Sequence, residues 1–267
     1  MENKKTVRLG FLGFGAMGSV LAEGLARFCP AVKKGELLLS AYAPHADKLK
    51  KRAEPLGVEV RASAEELAQS ADMLLLAVKP DQTESALKGI SASLDGKAVI
   101  SVVNAWDLSM FRELLGDGVR VQCAMPNTPV AVGSGTVILA DEHSLRADER
   151  EEIEEWFSCL GAVVSLPGAK MRAASAISGC GPAFLYMVIE ALGDAGVKNG
   201  LKRQDAYRLA AATLVGAGRM VLEGRGHPGE LKDAVCSPGG TTIRGVAALE
   251  EAGMRAAFIR AVDAAGK

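Results

Sequence analysis

The sequence predicts an α/β protein in which a Rossmann-like domain with a doubly wound, mostly parallel sheet precedes an all-α C-terminal domain. Two observations predict the first domain: short apolar runs alternate with helical segments, and a glycine-rich turn follows the first run. Strands separated by helices form βαβ units, which build parallel sheets. A third observation predicts the second domain: long alanine-rich helical patterns follow Pro167-Gly168. We therefore expect domains over residues 1–167 and 168–267.

The predicted strands are short, apolar and bounded by turn residues. They are Val7–Leu12, Leu37–Tyr42, Met73–Val78, Ala98–Val103, Val119–Ala124, Thr136–Ala140 and Ala162–Leu166. Helices are predicted after the first two strands, over Ala16–Phe28 and Ala46–Glu54. Five further helices are predicted in the C-terminal domain, over Gly181–Leu192, Arg203–Leu222, Pro228–Val235, Thr241–Glu250 and Met254–Ala265.

Composition argues against several classes of protein. The net charge is −1 and only 4% of residues are aromatic, which disfavours a nucleic-acid partner. Uninterrupted apolar runs fall short of the ~18 residues that a membrane span needs. The five cysteines are scattered without a CxxC pair, and the three histidines stand alone. We therefore expect neither a disulfide framework nor a metal site, and a cytoplasmic location.

The first candidate site is the GxGxxG turn between the first predicted strand and helix. Gly13 suits the tight turn, Gly15 allows close approach of a pyrophosphate, and Gly18 allows the helix to pack on the sheet. The alternative is a strand–helix turn without a ligand. The position of the GxGxxG turn between a strand and a helix favours a dinucleotide site, with the phosphates at the helix N-terminus.

The end of the second strand decides between cofactors in such folds. The tip here reads Ala43-Pro44-His45, with no acidic residue to bind a ribose 2′-hydroxyl, and a basic segment follows over residues 48–52. This favours NADPH, with NADH as the alternative. The basic segment could instead be a solvated helix face. Ala77-Val78-Lys79-Pro80 and Val102-Val103-Asn104 follow two other strands, so they are expected on the same rim.

The second candidate site is the turn Ser237-Pro238-Gly239-Gly240-Thr241-Thr242. Two glycines, flanking hydroxyls and a following helix N-terminus suit one small carboxylate. The alternative is a helix–helix turn with Thr241 as its N-cap. His227 stands at a predicted helix start, which favours a structural role.

Two further turns accompany these sites. Ser178-Gly179-Cys180-Gly181-Pro182 opens a helix, and Met125-Pro126-Asn127-Thr128-Pro129 is a rigid loop that could cover a nicotinamide. None of the turns contains a recurring acid–base pair. Reduction of a protonated C=N bond tolerates this, because the imine is already electrophilic. A ketone substrate would need a dedicated proton donor.

Taken together, these motifs resemble those of the pyrroline-5-carboxylate reductase family along the whole chain. The matching segments are GFLGFGAMG, LLLAVKP, MPNTP, ISGCGPAF and HPGELKDAVCSPGGTTIRGVAALE. The resemblance implies NAD(P)H-dependent reduction of 1-pyrroline-5-carboxylate to L-proline, the last step of proline biosynthesis. It also implies a homodimer through the C-terminal helices, assembled in some members into a decamer.

The resemblance carries site residues over to this chain. The expected cofactor contacts are Leu12, Gly13, Phe14, Gly15, Ala16, Met17, Ala43, His45, Ala77, Val78, Lys79, Pro80, Val103 and Asn104. The expected substrate contacts are Ser237, Gly239, Gly240, Thr241 and Thr242, with Thr242 as the catalytic hydroxyl. The chain departs from the family pattern at Val103-Asn104-Ala105, where Ala-Ala-Gly is usual, and at Ser63-Ala64, where Asn often follows Ser.

Three alternatives remain at this point. A β-hydroxyacid dehydrogenase shares the domain order but needs a helix lysine, which SGCGPAFLYMVIEAL lacks. A family member could reduce a different cyclic imine. A non-catalytic NADP-binding sensor would bind the cofactor without turnover.

Overall fold

The computed structural model describes residues 6–266, and the chain divides into two compact units. The first ends at Gly179 and the second begins at Cys180. The first unit holds one eight-stranded sheet with the order β3-β2-β1-β4-β5-β6-β7-β8. The strands are β1 Val7–Leu12, β2 Leu37–Tyr42, β3 Glu59–Val60, β4 Met73–Leu76, β5 Ala98–Ser101, β6 Arg120–Pro126, β7 Gly135–His143 and β8 Gly161–Leu166.

All neighbouring strands of this sheet are parallel except β6 and β7. The helices of the unit are α1 Ala16–Phe28, α2 Pro30–Lys33, α3 Ala46–Ala53, α4 Ala64–Ser70, α5 Thr83–Lys88, α6 Leu108–Leu115, α7 Ala147–Ser158 and α8 Met171–Ser178. The predicted Rossmann-like, mostly parallel sheet is confirmed. The parallel strands from β1 to β6 bring their carboxyl ends to one edge, which is where ligands bind in open α/β sheets.

The apolar strands are explained by burial on both faces of the sheet. Along β4, Met73 and Leu75 belong to one core cluster, while Leu74 and Leu76 belong to the other. Successive side chains of a strand point to opposite faces, so a strand covered on both sides needs a continuous apolar run. The strand ends at Leu76, and the predicted residues Ala77 and Val78 lie beyond it.

The second unit is helical, as predicted. Its helices are α9 Gly181–Lys198, α10 Arg203–Leu222, α11 Pro228–Ala234, α12 Thr241–Glu251 and α13 Met254–Ala265. Two glycines of α9 bring α9 and α10 close together. A β-carbon at Gly193 would collide with the Tyr207 ring, and one at Gly196 would lie 2.8 Å from the β-carbon of Ala206.

One stretch, residues 168–198, is long and apolar enough to cross a membrane by length and composition alone. Its apolar window has a mean hydropathy of 1.4, and only 11% of the window is buried. This differs from the expectation drawn from uninterrupted apolar runs. The stretch is divided into α8 and α9 at Gly179-Cys180. Core helices of soluble proteins can have the same length and composition.

Candidate active site

The three glycines of GxGxxG differ in what surrounds them. Gly13 has a φ of +95°, and a β-carbon there would lie 2.6 Å from the Ala77 carbonyl oxygen. A β-carbon at Gly18 would collide with the Gly13 carbonyl oxygen. Both positions therefore need glycine for the fold itself.

Gly15 is different, because a β-carbon there would meet no atom within 4 Å. Gly15 is the N-cap of α1, which has neither a side-chain cap nor an acidic residue in its first turn. The first N–H groups of a helix carry partial positive charge and need acceptors. Open space in front of such groups fits a dinucleotide pyrophosphate, so the residues present are compatible with the predicted cofactor.

The tip of β2 lies beside this turn. The Gly13 N–H donates to the Tyr42 carbonyl oxygen at 2.9 Å. From α3, the Arg52 guanidinium donates to the Phe14 carbonyl oxygen at 3.4 Å. The basic segment therefore contacts the turn through Arg52, a contact that the sequence did not indicate. His45 is the exposed N-cap of α3, and Ala43 is half-buried between it and β2.

The rim segments after β4 and β5 lie next to each other. The Ala77 N–H donates to the Leu12 carbonyl oxygen at 2.9 Å, and the Val102 N–H donates to that of Leu76 at 3.0 Å. Lys79, Pro80 and Asn104 are exposed there. The predicted cofactor segments after β1, β4 and β5 are thus brought together at one edge.

Two rim residues have features that the sequence did not indicate. Val103 is 5% exposed and packs in the core, so a contact with a cofactor would fall to its backbone. Ala105 is the only non-glycine residue with a positive φ among the described residues, at +63°. The side-chain oxygen of Asn104 accepts a hydrogen bond from the Ala105 N–H at 2.9 Å.

The MPNTP segment ends β6 and contains a buried polar side chain. Asn127 is 7% exposed. Its Oδ1 accepts from the Thr136 N–H at 2.8 Å, and its Nδ2 donates to the Ser178 carbonyl oxygen at 2.9 Å. The sequence indicated a rigid loop but not this bridge. A polar residue between two prolines at a strand end is the signal that could have pointed to it.

The glycines of SPGGTT shape a turn before α12. Gly239 has a φ of +68°, and a β-carbon at Gly240 would collide with the Ser237 hydroxyl. The Gly240 N–H donates to the Ser237 carbonyl oxygen at 3.0 Å. Gly240, rather than Thr241, is the N-cap of α12, so the N-cap alternative for Thr241 is wrong.

The start of α12 has the chemistry of an anion site. The helix has no side-chain cap and no acidic residue in its first turn. Ser237, Thr241 and Thr242 are exposed in the chain. Backbone N–H groups at an uncapped helix start, with hydroxyls beside them, suit a small carboxylate.

His227, a further candidate, has a structural explanation. His227 caps α11: its Nδ1 accepts from the Gly229 N–H at 3.1 Å, and its own N–H donates to Glu230 at 3.1 Å. The expected structural role is confirmed. Near the rim, burial and then the charge of Asp107 raise the pKa of Cys123 to about 12, so its thiol is un-ionised at neutral pH.

Two family models match the chain. The model described as pyrroline-5-carboxylate reductase dimerisation matches residues 168–267. The model described as NADP oxidoreductase, coenzyme F420-dependent, matches residues 8–105. The dimerisation match supports a homodimer through the C-terminal region, and it coincides with the many exposed apolar side chains there, such as Met187 and Leu222.

Relatives and solved structures match almost end to end. The pyrroline-5-carboxylate reductase of Treponema pallidum is 40% identical over 97% of this chain and 98% of its own length. That of Methanosarcina acetivorans is 38% identical over 98% and 95%. The NADP-bound crystal structure of Plasmodium falciparum pyrroline carboxylate reductase has a TM-score of 0.86 and 36% identity, and the match covers 100% and 97% of the chains. This chain belongs to the pyrroline-5-carboxylate reductase family.

Proposed function

We propose that the protein is an NAD(P)H-dependent reductase that converts 1-pyrroline-5-carboxylate to L-proline, the last step of proline biosynthesis. The observation that carries the proposal is the SPGGTT turn, which opens an uncapped helix in a chain that aligns end to end with reductases of this name. A reduced nicotinamide, when bound, supplies the hydride for the C=N bond.

The GxGxxG turn would hold the pyrophosphate of this cofactor. The open space at Gly15 and the uncapped start of α1 support that role. The other expected contacts come from the β2 tip and the two rim segments. The basic residues after β2 and the missing acidic residue at its tip support NADPH over NADH.

The turn before α12 would hold the carboxylate of the imino acid. Ser237 and Thr241 supply hydroxyls, and the backbone around Gly239-Gly240 supplies N–H groups. Thr242 is one residue further along the helix, and we assign its hydroxyl to the ring nitrogen as hydrogen-bond donor or proton relay. A protonated imine needs orientation more than an acid catalyst, so a threonine suffices.

The domain roles follow from this assignment. We propose that residues 1–167 bind the dinucleotide, and that residues 168–267 form the dimer and bind the substrate. We also propose that the dimers assemble into a decamer and that the protein is cytoplasmic. The five free cysteines support a reducing compartment.

The test is the oxidation of NADPH in the presence and absence of 1-pyrroline-5-carboxylate, with NADH in parallel and proline measured as the product. Substrate-dependent oxidation with proline formed in equal amount is expected, and it should be faster with NADPH. Turnover of a different cyclic imine alone would contradict the substrate assignment. NADPH binding without oxidation by any imine would contradict the enzyme assignment and favour a sensor.

A further inference from the structure

A positively charged side chain of α3 contacts the glycine turn. The Arg52 guanidinium donates to the Phe14 carbonyl oxygen at 3.4 Å. Phe14 lies between Gly13 and Gly15 in the turn, and the Gly13 N–H donates to the Tyr42 carbonyl oxygen, at the end of β2, at 2.9 Å. The Arg52 charge therefore lies where the turn meets the tip of β2.

The buried residues of α3 explain why Arg52 faces the turn. Leu49 and Ala53 are buried in the core cluster that also contains Phe14. Arg52 is three residues after Leu49, so it lies at the border of this buried stripe. Lys48 precedes Arg52 by four residues, and residues four apart share one side of a helix. The side of α3 that borders the turn therefore carries two cations.

The charged residues Asp47 and Lys50 of α3 lie on other sides of the helix. Lys50 is two positions from Arg52, which is about 200° around the helix axis. Asp47 is five positions from Arg52, or about 140° away. Neither Arg52 nor Lys48 pairs with a carboxylate in the part of the chain that the structure describes. Both are exposed, so their charges are available to an anionic ligand at this edge.

We infer that Arg52, with Lys48 beside it, binds the 2′-phosphate of NADPH and sets the preference for NADPH over NADH. The pyrophosphate is proposed to lie at Gly15, next to Phe14, and in a dinucleotide the adenosine ribose is bonded to the pyrophosphate. The 2′-position of this ribose therefore falls near the tip of β2, where folds of this type recognise it. An arginine suits a phosphate because its guanidinium can donate two parallel hydrogen bonds. The inference rests on the proposed function for the identity of the cofactor.

A purely structural role for Arg52 makes a different prediction. The pyrophosphate is common to NADPH and NADH, because the two cofactors differ only in the 2′-phosphate. If Arg52 only supported the Phe14 carbonyl group, its loss would weaken the binding of both cofactors equally. A role at the 2′-phosphate weakens the binding of NADPH alone. The ratio of the two dissociation constants therefore separates the two roles without any catalytic turnover.

The test is a titration of the full-length protein with NADPH and with NADH, followed by the change in nicotinamide fluorescence. Arg52→Gln removes the charge and keeps an N–H donor. It should raise the Kd for NADPH about tenfold or more, since a hydrogen bond to a charged group is lost, and leave the Kd for NADH within about twofold. Lys48→Gln should have a smaller effect in the same direction.

Lys50→Gln is the matched control, because it removes the same charge from the same helix on the side away from the turn. Both Kd values should stay within about twofold of those of the wild type. Arg52→Lys keeps the charge on a different donor, and its preference for NADPH should lie between those of the wild type and Arg52→Gln. Thermal unfolding shows whether each variant is folded, and Arg52→Lys decides the test if Arg52→Gln does not fold.

Three results would overturn the inference. Equal weakening of both cofactors in Arg52→Gln assigns Arg52 to the turn alone, and an unchanged Kd for NADPH removes it from the site. An equal loss in Lys50→Gln would mean that the summed charge of α3, rather than this contact, attracts the cofactor. A wild-type protein that prefers NADPH but does not reduce 1-pyrroline-5-carboxylate contradicts the proposed function instead, and the titrations still decide the role of Arg52.

Discussion

Arg120 binds the buried carboxylate of Glu149 through two hydrogen bonds, Nε to Oε2 at 2.8 Å and Nη2 to Oε1 at 2.7 Å. The Glu149 side chain is 4% exposed and also accepts from the Arg146 N–H at 3.0 Å. The pair ties α7 to β6, on the side of the first unit away from the proposed cofactor edge. It belongs to the fold rather than to the reaction.

Glu149→Gln should lower the free energy of unfolding by about 3 kcal/mol at neutral pH, because it removes a buried carboxylate and leaves the half-buried Arg120 without its counter-charge. Denaturant unfolding of both proteins measures the difference. NADPH affinity should be unchanged. A loss below about 1 kcal/mol would show that the pair contributes no more than a surface ion pair.

The same pair predicts a pH dependence. Burial alone raises the pKa of Glu149, but the hydrogen bonds from Arg120 and from the Arg146 N–H outweigh it and hold the pKa below its ordinary value. A carboxyl with a lowered pKa in the folded state stabilises the fold above its unfolded pKa. That contribution is lost as the pH falls through the folded pKa. The difference in the free energy of unfolding between wild type and Glu149→Gln should therefore become smaller in acid. A difference that stays constant as the pH falls would contradict this role of the Glu149 carboxylate.

Substitutions at two glycines of the GxGxxG turn should have different effects, one on cofactor binding and the other on stability. Gly15→Val should weaken NADPH binding more than about tenfold while the protein stays folded, because its side chain enters the open space where the pyrophosphate would lie. Gly18→Ala should destabilise the fold by about 1–3 kcal/mol, since its β-carbon meets the Gly13 carbonyl oxygen. Thermal unfolding and NADPH titration of both variants check this. Unchanged NADPH affinity in Gly15→Val would refute the cofactor site.

Ala105→Gly should stabilise the protein by about 0.5–1 kcal/mol. A left-handed conformation costs an alanine about 1–2 kcal/mol, so replacing it with glycine relieves that cost in the folded state. Part of this stabilisation is offset, because glycine also raises the conformational entropy of the unfolded chain. Gly57→Ala is the matched reverse change, because Gly57 has a φ of +68° with open space around it. It should lower stability by a similar amount. A loss of stability in Ala105→Gly would mean that the loop relaxes around Ala105 without strain.

Thr242→Ala should reduce kcat about tenfold or more while NADPH affinity changes little, because the hydroxyl is assigned to the imine nitrogen. Thr213→Ala is a control in the same unit, where the hydroxyl bonds the Leu209 carbonyl oxygen within α10. Steady-state kinetics and cofactor titration separate the effects. Equal losses of turnover and NADPH affinity in Thr242→Ala would place Thr242 in a structural role.

Much of the fold could be predicted from the sequence, since buried parallel strands leave continuous apolar runs. β1, β2, α1, α10 and α13 have the predicted bounds. The two-residue strand β3 and the short helices α2, α4 and α8 were missed. Elements this short carry too little periodicity to be recognised, and tertiary pairing forms them.

Some features of the candidate sites could be predicted from the sequence and others could not. The glycine turns could be read from the sequence, because only glycine tolerates such backbone angles and close approaches. The contact of Arg52 with Phe14 and the bridge from Asn127 to Ser178 could not be read from it. Each joins residues far apart along the chain, at 38 and 51 positions. No local pattern encodes such a distance.

By itself, the sequence determined the order of strands and helices, the two glycine-shaped turns and the family that the chain resembles. These features depend on local backbone preferences and on the period of apolar residues. Only the tertiary structure decided why each glycine is required, which buried groups hold the carboxyl edge of the sheet, and that Ala105 has a left-handed conformation. Those features depend on contacts between segments that meet only when the chain folds.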